Sequence, residues 1–288
     1  MKKTSYFLLT LTLLLTFAGC NQKEKKLAKI VEEPTDEQIH IIGDITKAAI
    51  GKDLDCYVNC TNDTFLLIGS YNFTKDDLNK ANETKELQKK FLLSAFCSDS
   101  PELRDIMQKI ADVPAFIQLS YEDTIRHQLF KLDINNVELR EALSKKYKPT
   151  DALSSLLELE NERAKPKGFT KLEVNYVVFG INTDSLISDL EELVEQDIAD
   201  AKGSFLSNID EILDLDKYKD KISESYTKEF QSYYKELLIE EHLLSGEDYL
   251  TKLMKRNDLG FIFRFYDPEM DKSMDIVFEK EEIDKLIK

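Results

Sequence analysis

Apolar residues recur along this chain with two spacings: every second residue in some segments, and every third or fourth residue in others. Alternation with polar residues, which is typical of half-buried β-strands, occurs at 130–134 and 274–278, and further strand-type runs occur at 55–60, 64–71, 116–122, 171–182 and 260–267. Together these segments predict two hairpins in each half of the chain. Apolar residues three or four positions apart predict helices around the hairpins, in the order α-β-β-α-α-β-β-α for each half. This order indicates an α+β fold.

Residues that favour helix starts support these boundaries. Thr35 and Gln38 fit a capping box, in which a hydroxyl and an amide satisfy free backbone N–H groups at a helix N-terminus. Ser100 followed by Pro101 predicts another start, because a proline at the first helical position loses no hydrogen bond.

Short motifs at corresponding places suggest that the order of elements is duplicated. The matched motifs are Phe116-Ile117 to Tyr121-Glu122 with Phe261-Ile262 to Tyr266-Asp267, Pro34-Thr35-Asp36 with Pro149-Thr150-Asp151, and Gly69 with Gly180. We therefore predict two tandem α+β domains, at 34–147 and 149–288. Each is expected to hold an antiparallel sheet of about four strands with helices on one face. The second has a longer helical insert; the alternative is a single α+β domain whose hairpins are similar by chance.

The first twenty residues follow a different pattern. Lys2 and Lys3 precede an uncharged apolar run, Tyr6–Phe17, and Ala18-Gly19-Cys20 follows it. The run is too short to span a hydrocarbon core of about 30 Å, which needs about 20 helical residues. A basic start, a short apolar segment and small residues at its end indicate a secretory signal peptide over residues 1–19.

The cysteine at the end of this segment resembles that of a bacterial lipoprotein signal, or lipobox. The resemblance implies that Cys20 receives diacylglycerol on its sulfur and an acyl group such as palmitate on its amine, which anchors the chain to a membrane. Phe17 stands where that family usually has leucine. Asn21, with no aspartate there, favours the outer membrane by the same resemblance, and the charged residues 20–33 form a tether. The alternative is a signal peptide that is cleaved without lipidation of Cys20, which releases a free protein.

Charge narrows the classes of partner. The chain has 39 Lys and Arg against 55 Asp and Glu, a net charge of −16. Removal of residues 1–19 takes away Lys2 and Lys3 and no acid, so the remaining net charge is −18. Such a surface disfavours nucleic acid and a flat approach to an anionic leaflet, since both need cationic contacts. A protein or glycan ligand fits it, and a basic partner is a further alternative.

Three cysteines remain besides Cys20. Cys56 and Cys60 cannot bridge each other if they lie on one strand, because four residues of strand span about 13 Å. Cys97 is then left to pair with either Cys56 or Cys60, and one thiol stays over. The Cys-x3-Cys spacing without a nearby histidine pair does not predict a zinc site.

No catalytic, cofactor-binding or metal-binding set is predicted. His40, His127 and His242 lie far apart in the sequence and fit no ligand motif. The chain has no G-x-S-x-G, P-loop or G-x-G-x-x-G segment. Asp267, Asp271 and Asp275 lack the spacing and the glycine of a calcium loop, which favours a role in the solvation of a turn.

Two tripeptides suggest a covalent modification. Asp123-Thr124-Ile125 and Asp184-Ser185-Leu186 resemble the Asp-Ser/Thr-apolar sites that Bacteroidota O-glycosylate on exported proteins. Thr124 falls in a predicted hairpin turn, where it is accessible. The alternative for Ser185 is a helix N-terminus, where Thr183, Asp184 and Ser185 are natural capping residues.

The C-terminal motif Gly260–Asp267, followed by an alternating strand and Glu281-Glu282-Ile283, resembles small bacterial surface lipoproteins of uncharacterised activity. We therefore expect a lipid-anchored cell-envelope protein with a non-enzymatic binding or scaffolding role. One alternative is an envelope enzyme whose carboxylates converge only in the folded chain. Another is an inhibitor or immunity-type protein whose acidic face covers a basic toxin.

Overall fold

A computed structural model describes residues 35–52, 54–61, 64–98, 100–113, 115–165, 167–183, 189, 191–196, 215–240 and 249–286. The predicted signal peptide, Cys20, the tether, Ser185 and His242 lie outside these residues. The elements are α1 (Asp36–Ile50), β1 (Asp55–Thr61), β2 (Thr64–Ser70), α2 (Lys75–Glu83), α3 (Lys85–Ser98), α4 (Pro101–Ala111), β3 (Phe116–Glu122), β4 (Gln128–Asn135), α5 (Asn136–Ser144), α6 (Pro149–Ala164), β5 (Gly168–Glu173), β6 (Tyr176–Asn182), α7 (Leu215–Glu240), α8 (Tyr249–Arg256), β7 (Gly260–Asp267), β8 (Lys272–Phe278) and α9 (Lys280–Leu286). Within the described ranges, no helix is long and apolar enough to cross a membrane.

The helix starts follow the capping residues. The Thr35 hydroxyl accepts from the Gln38 backbone N–H, and the Gln38 side chain accepts from that of Thr35, so the predicted capping box is confirmed. Ser100 caps α4 with Pro101 in the first turn, also as predicted. Gly51 ends α1 with a φ of 77°, a left-handed conformation that suits glycine.

Contacts divide the chain into two compact units, residues 1–159 and 160–288. The division falls inside α6, between Leu159 and Glu160. Each unit contains one four-stranded sheet, in the orders β1-β2-β3-β4 and β5-β6-β7-β8. The predicted α+β class with two sheet-containing units is confirmed.

The two sheets are mixed, whereas entirely antiparallel sheets were expected. The outer pairs β1–β2 and β3–β4 are antiparallel, but the central pair β2–β3 is parallel, and β5 to β8 repeat this arrangement. The reason is the long connection between the hairpins. A chain that leaves β2, forms α2, α3 and α4 and returns to the same edge of the sheet makes a crossover, which gives parallel neighbours.

Corresponding positions in the second hairpins of the two sheets are offset by a constant number. Tyr121 pairs with Phe130 and Phe265 pairs with Met274, so equivalent residues of the β3–β4 and β7–β8 hairpins lie 144 apart. With this offset Phe116 corresponds to Gly260. The sequence motif had matched Phe116 with Phe261. Neighbouring strand residues face opposite sides of a sheet. Phe116 accordingly lies on the outer face and Phe261 on the inner face.

The inner face of the first sheet holds the core of its unit. Its buried rows include Phe65, Leu67, Ile117, Leu119, Leu132 and Ile134. Helix α1 contacts β1 and β2, and α3 contacts β4. Burial of these side chains at roughly 25 cal/mol per Å² of apolar surface is the main force that holds the helices on the sheet.

Aromatic rings dominate the inner face of the second sheet. Phe261, Phe263 and Phe265 occupy successive inner positions of β7 and are all buried. The rings of Phe230 and Tyr234 on α7 lie 5.4 and 5.2 Å from the Phe265 ring in edge-to-face geometry. Helix α7 therefore covers this face, and we call the opposite face of the sheet, on which Val178 and Ile262 are also buried, its outer face.

Candidate functional site

The described modification candidate, Thr124, lies where the sequence predicted. It is exposed in the turn between β3 and β4. The carboxylate of Asp123 fixes this turn, because its Oδ1 accepts the backbone N–H groups of Ile125 at 3.0 Å and of His127 at 2.8 Å. Thr124 is therefore exposed on a turn that two hydrogen bonds to the Asp123 carboxylate stabilise.

The cysteines are separated by fold and environment. Cys56 lies on β1, as does Cys60, whose side chain is outside the described set. Cys97 lies on α3 as a buried, free thiol. Burial raises the pKa of the Cys97 thiol to about 11, although the nearby Arg104 acts in the opposite direction. A thiol that keeps its proton is a poor nucleophile. The pairing of Cys97 with Cys56 or Cys60 stays a prediction.

The described histidines, and the acidic repeat formed by Asp267, Asp271 and Asp275, interact with residues close to them in the fold. His40 and His127 are exposed and lie 3.7 and 3.4 Å from the carboxylates of Asp44 and Asp123. The acidic repeat is divided among three roles. The buried Asp267 accepts from two backbone N–H groups of the turn, Asp271 accepts from the Tyr266 hydroxyl, and Asp275 pairs with Arg264. Among residues that the structure describes, no group of three His, Cys, Asp or Glu could hold a metal ion.

The most organised polar surface lies on the outer face of the second sheet. We call it the outer surface of the second sheet and define it by Phe169, Lys171, Glu173, Arg264, Tyr266 and Asp275. Strand register brings these residues together: Gly180 lies between Phe169 and Arg264, and Arg264 lies opposite Asp275. The alternation of β7 explains the arrangement, because its phenylalanines face inward and place Arg264 and Tyr266 outward.

Arg264 is the centre of this surface. Its Nε and Nη2 donate to Oδ1 and Oδ2 of Asp275, each at 2.7 Å. Its Nη1 donates to Oε1 of Glu173 at 3.2 Å, and Lys171 pairs with the same carboxylate at 2.7 Å. Two parallel bonds to one carboxylate fix the plane of the guanidinium. The four charged groups are thus held in one geometry across the sheet.

An aromatic platform lies beside the charges. Gly180 has no side chain, and the ring of Phe169 occupies the space above it, where an added Cβ would come within 2.2 Å of Phe169 Cζ. The Phe169 ring meets that of Tyr266 edge to face, with centroids 6.2 Å apart. The Lys171 ammonium lies 5.5 Å from the Phe169 centroid, within cation–π range.

Electrostatics fix the protonation states of this surface. The hydrogen bond from Lys171 and the charge of Arg264 lower the pKa of Glu173, and the bonds to Asp275 raise that of Arg264. The hydrogen bond to Asp271 raises the pKa of the Tyr266 phenol. The charges of Glu173 and Arg264 therefore do not change near neutral pH, and the carboxylates of Glu173 and Asp275 are already engaged by cations. The arrangement suits the binding of a polar ligand better than proton transfer.

Sequence reasoning did not single out this surface. Arg264 and Tyr266 appeared only as parts of the repeated motif, and Phe169 was not considered. One signal was present: an arginine within a strand of phenylalanines is out of place unless its face is polar. Its partners Glu173 and Asp275 lie on other strands, and their convergence required the strand order.

No protein-family model matches this chain, and neither the comparison with curated proteins nor that with solved structures found a match.

Proposed function

We propose that this protein is a lipid-anchored protein of the cell envelope that acts as a non-enzymatic binding module. The outer surface of the second sheet is its binding site in this proposal, and its ligand is a protein or a glycan. The anchor rests on the sequence of residues 1–20, where a short apolar run ends at Cys20.

The observation that carries the binding role is the fixed arrangement around Arg264. A guanidinium held by two carboxylates is already ordered before a ligand arrives, so little side-chain entropy is lost on binding. The adjacent Tyr266 and Phe169 offer aromatic surface for the apolar parts of a peptide or for the C–H face of a sugar. Lys171 and Glu173 add a donor and an acceptor at the rim.

The anchor is tested by metabolic labelling with a palmitate analogue. The native chain should incorporate the label and sediment with membranes, and the Cys20→Ser variant should incorporate none. Fractionation of the two membranes then tests the proposed outer-membrane location. Label on Cys20→Ser, or a native chain released in soluble form, would exclude the lipid anchor.

The binding role is tested by capture from native membranes with the full chain as bait. We expect a partner or glycan whose recovery falls at least fivefold with Tyr266→Ala or Lys171→Ala. Tyr233→Ala is the matched control, because Tyr233 is a 63% exposed aromatic of the same unit that lies on α7. Equal losses in all three variants, or no capture above background, would contradict the assignment of this surface.

Glycosylation at Thr124, and at Ser185, is part of the same proposal. The intact mass of the native chain should exceed the mass of lipidated residues 20–288 by a glycan for each occupied site. Thr124→Ala and Ser185→Ala should each remove one increment, while Ser100→Ala should remove none. A native mass without any increment would refute the modification.

A further inference from the structure

The four sheet edges of this protein differ in how their backbone groups are covered. An edge strand presents unpaired N–H and C=O groups that can pair with another strand. On the second sheet, side chains occupy both edges. Gln231 Nε2 and Lys235 Nζ of α7 donate to the carbonyl oxygens of Asp275 and Val277 on β8 at 2.8 and 2.9 Å. The amide oxygen of Asn161 accepts the Thr170 N–H of β5 at 3.0 Å.

The corresponding edge of the first sheet lacks this cover. With the offset of 144 positions, Lys131 and Asp133 of β4 correspond to Asp275 and Val277 of β8. Their backbone groups therefore point away from β3. In the part of the chain that the structure describes, the Glu138 carboxylate accepts the outward N–H of Asn135 at the end of β4 at 2.9 Å, and no side chain bonds to the outward backbone groups of Lys131 or Asp133. The Lys131 and Asp133 side chains are 56% and 43% exposed.

Apolar side chains are exposed along the same strand and just beyond both its ends. Leu129 on β4 is 39% exposed, Ile125 in the preceding turn 71%, and Val137 at the start of α5 66%. A free edge flanked by exposed apolar residues is a site of strand pairing unless something covers it.

The sequence of β4 is complementary to itself in one antiparallel register. If Leu132 faces its own copy across a two-fold axis, Lys131 lies opposite the partner's Asp133 and Asp133 opposite the partner's Lys131. Phe130 then faces the partner's Ile134 on the inner side. The neighbouring registers, centred on Lys131 or Asp133, put like charges directly opposite each other, which is destabilising. The Val137 end of one copy also meets the Ile125 end of the other.

We infer that β4 is the edge at which a second copy of this chain binds, antiparallel and centred on Leu132. The first sheets of two copies then form one continuous eight-stranded sheet across an isologous two-fold interface. Within each copy Lys131 and Asp133 already lie 3.4 Å apart. In the dimer each Lys131 ammonium thus lies between its own Asp133 and the Asp133 of the second copy. The inference does not depend on the lipid anchor or on the ligand of the second sheet.

Register-specific disulfide formation tests this pairing on the full-length protein in cells. Two tagged copies, one with Lys131→Cys and one with Asp133→Cys, are expressed together and mildly oxidised. Residues of a hydrogen-bonded antiparallel pair have Cα atoms about 5.5 Å apart, within disulfide range, whereas the diagonal distance of about 7–8 Å exceeds it. We expect a heterodimer at least fivefold more abundant than either Lys131→Cys or Asp133→Cys alone gives.

The matched control uses the other edge of the same sheet. Tyr57→Cys and Asn59→Cys lie two positions apart on the outer face of β1, as Lys131 and Asp133 do on β4. This pair should give only the background of the native cysteines. The inference is overturned if the β4 pair gives no more product than the β1 pair, or if the β4 cysteines link to a different protein.

Charge reversal gives a second, independent measurement by sedimentation of the full chain in detergent. Lys131→Asp alone and Asp133→Lys alone should each weaken dimerisation about tenfold, because each creates two like-charge pairs across the axis. The double exchange restores opposite charges and should return the Kd to within about threefold of the native value. A native chain that stays monomeric, or a Kd that the single reversals leave unchanged, would also overturn it.

Discussion

Arg264 lies directly opposite Asp275 on the neighbouring strand and donates two parallel hydrogen bonds to its carboxylate, each 2.7 Å long. The Arg264 side chain is only 18% exposed, so the pair is partly shielded from water. The third contact, to Glu173, crosses β6, whose Gly180 pairs with Arg264 and whose Tyr176 pairs with Glu173. One cation therefore holds two acids that belong to different hairpins of the same sheet.

Arg264→Met should lower the free energy of unfolding by about 1–3 kcal/mol. Removal of the guanidinium leaves the partly buried carboxylate of Asp275 without its cation, which is costlier than loss of an exposed pair, while Glu173 keeps its pair with Lys171. Urea denaturation followed by circular dichroism measures the change. Lys228→Met is the control, because its pair with Glu224 on α7 is largely exposed and should contribute little to stability. Equal losses would show that Arg264 has no special structural role.

Gly180→Ala should destabilise the protein by about 1–3 kcal/mol through overpacking, since the new methyl group has no space beneath the Phe169 ring. The cause is specific, so the same substitution in a Phe169→Ala background should be close to neutral. The interaction energy of this double-mutant cycle, from denaturation midpoints, is the measurement. Additive losses would mean that another neighbour of Gly180 is responsible.

Gly43→Ala should instead stabilise the protein. Gly43 lies inside α1, and the nearest atom to an added Cβ is that of Cys56 at 4.0 Å, an ordinary contact. Alanine in a helix interior is favoured over glycine by roughly 0.5–1 kcal/mol, so the melting temperature should rise. A lower melting temperature would indicate that α1 cannot approach β1 as closely as the structure has it.

The period of apolar residues was sufficient to predict most elements of this fold. Helix α4 and the hairpin strands of both sheets lie close to where the apolar pattern and the capping residues placed them. The parallel orientation of β2 and β3 was not predictable in the same way, because a strand has the same pattern whichever way its neighbour runs. That orientation is decided by how the intervening helices return the chain.

The duplication shows a more specific limit of sequence comparison. The motif of Phe116 matched that of Phe261, but strand register makes Gly260 the equivalent position. Likewise Gly69 corresponds to Ile181 on β6, and Gly180 is one position away. A shift of one residue exchanges the two faces of a strand. Gly69 therefore lies under Ile50 and Leu54 on the inner face, and Gly180 lies on the outer surface of the second sheet.

Tyr121→Phe should cost about 1–3 kcal/mol although it removes only one oxygen atom. The Tyr121 hydroxyl donates to Gln88 Oε1 at 2.8 Å, and the Gln88 amide is already committed to Ala81 and Thr84. Loss of the hydroxyl leaves a fully buried acceptor unsatisfied. Thermal denaturation measures the effect, with Tyr71→Phe as the control, because Tyr71 is 40% exposed. If both variants behave alike, the buried acceptor has found another donor.

The stability of the protein should fall above about pH 9 in a way that depends on Cys97. Burial raises the pKa of this thiol from 9.0 to about 11 in the folded chain. Between these values the unfolded chain loses the proton and the folded chain keeps it. Fewer protons are then bound in the unfolded state, so the free energy of unfolding decreases as pH rises.

By pH 11 this linkage should amount to about 2 kcal/mol for the native chain. Cys97→Ala removes the titrating group but also leaves a small cavity, which lowers stability equally at every pH. The informative quantity is therefore the change in unfolding free energy between pH 8 and pH 11, measured with urea at each pH. That change should be about 2 kcal/mol smaller in Cys97→Ala than in the native chain. Curves that run parallel up to pH 11 would show that the Cys97 thiol titrates alike in the folded and unfolded states.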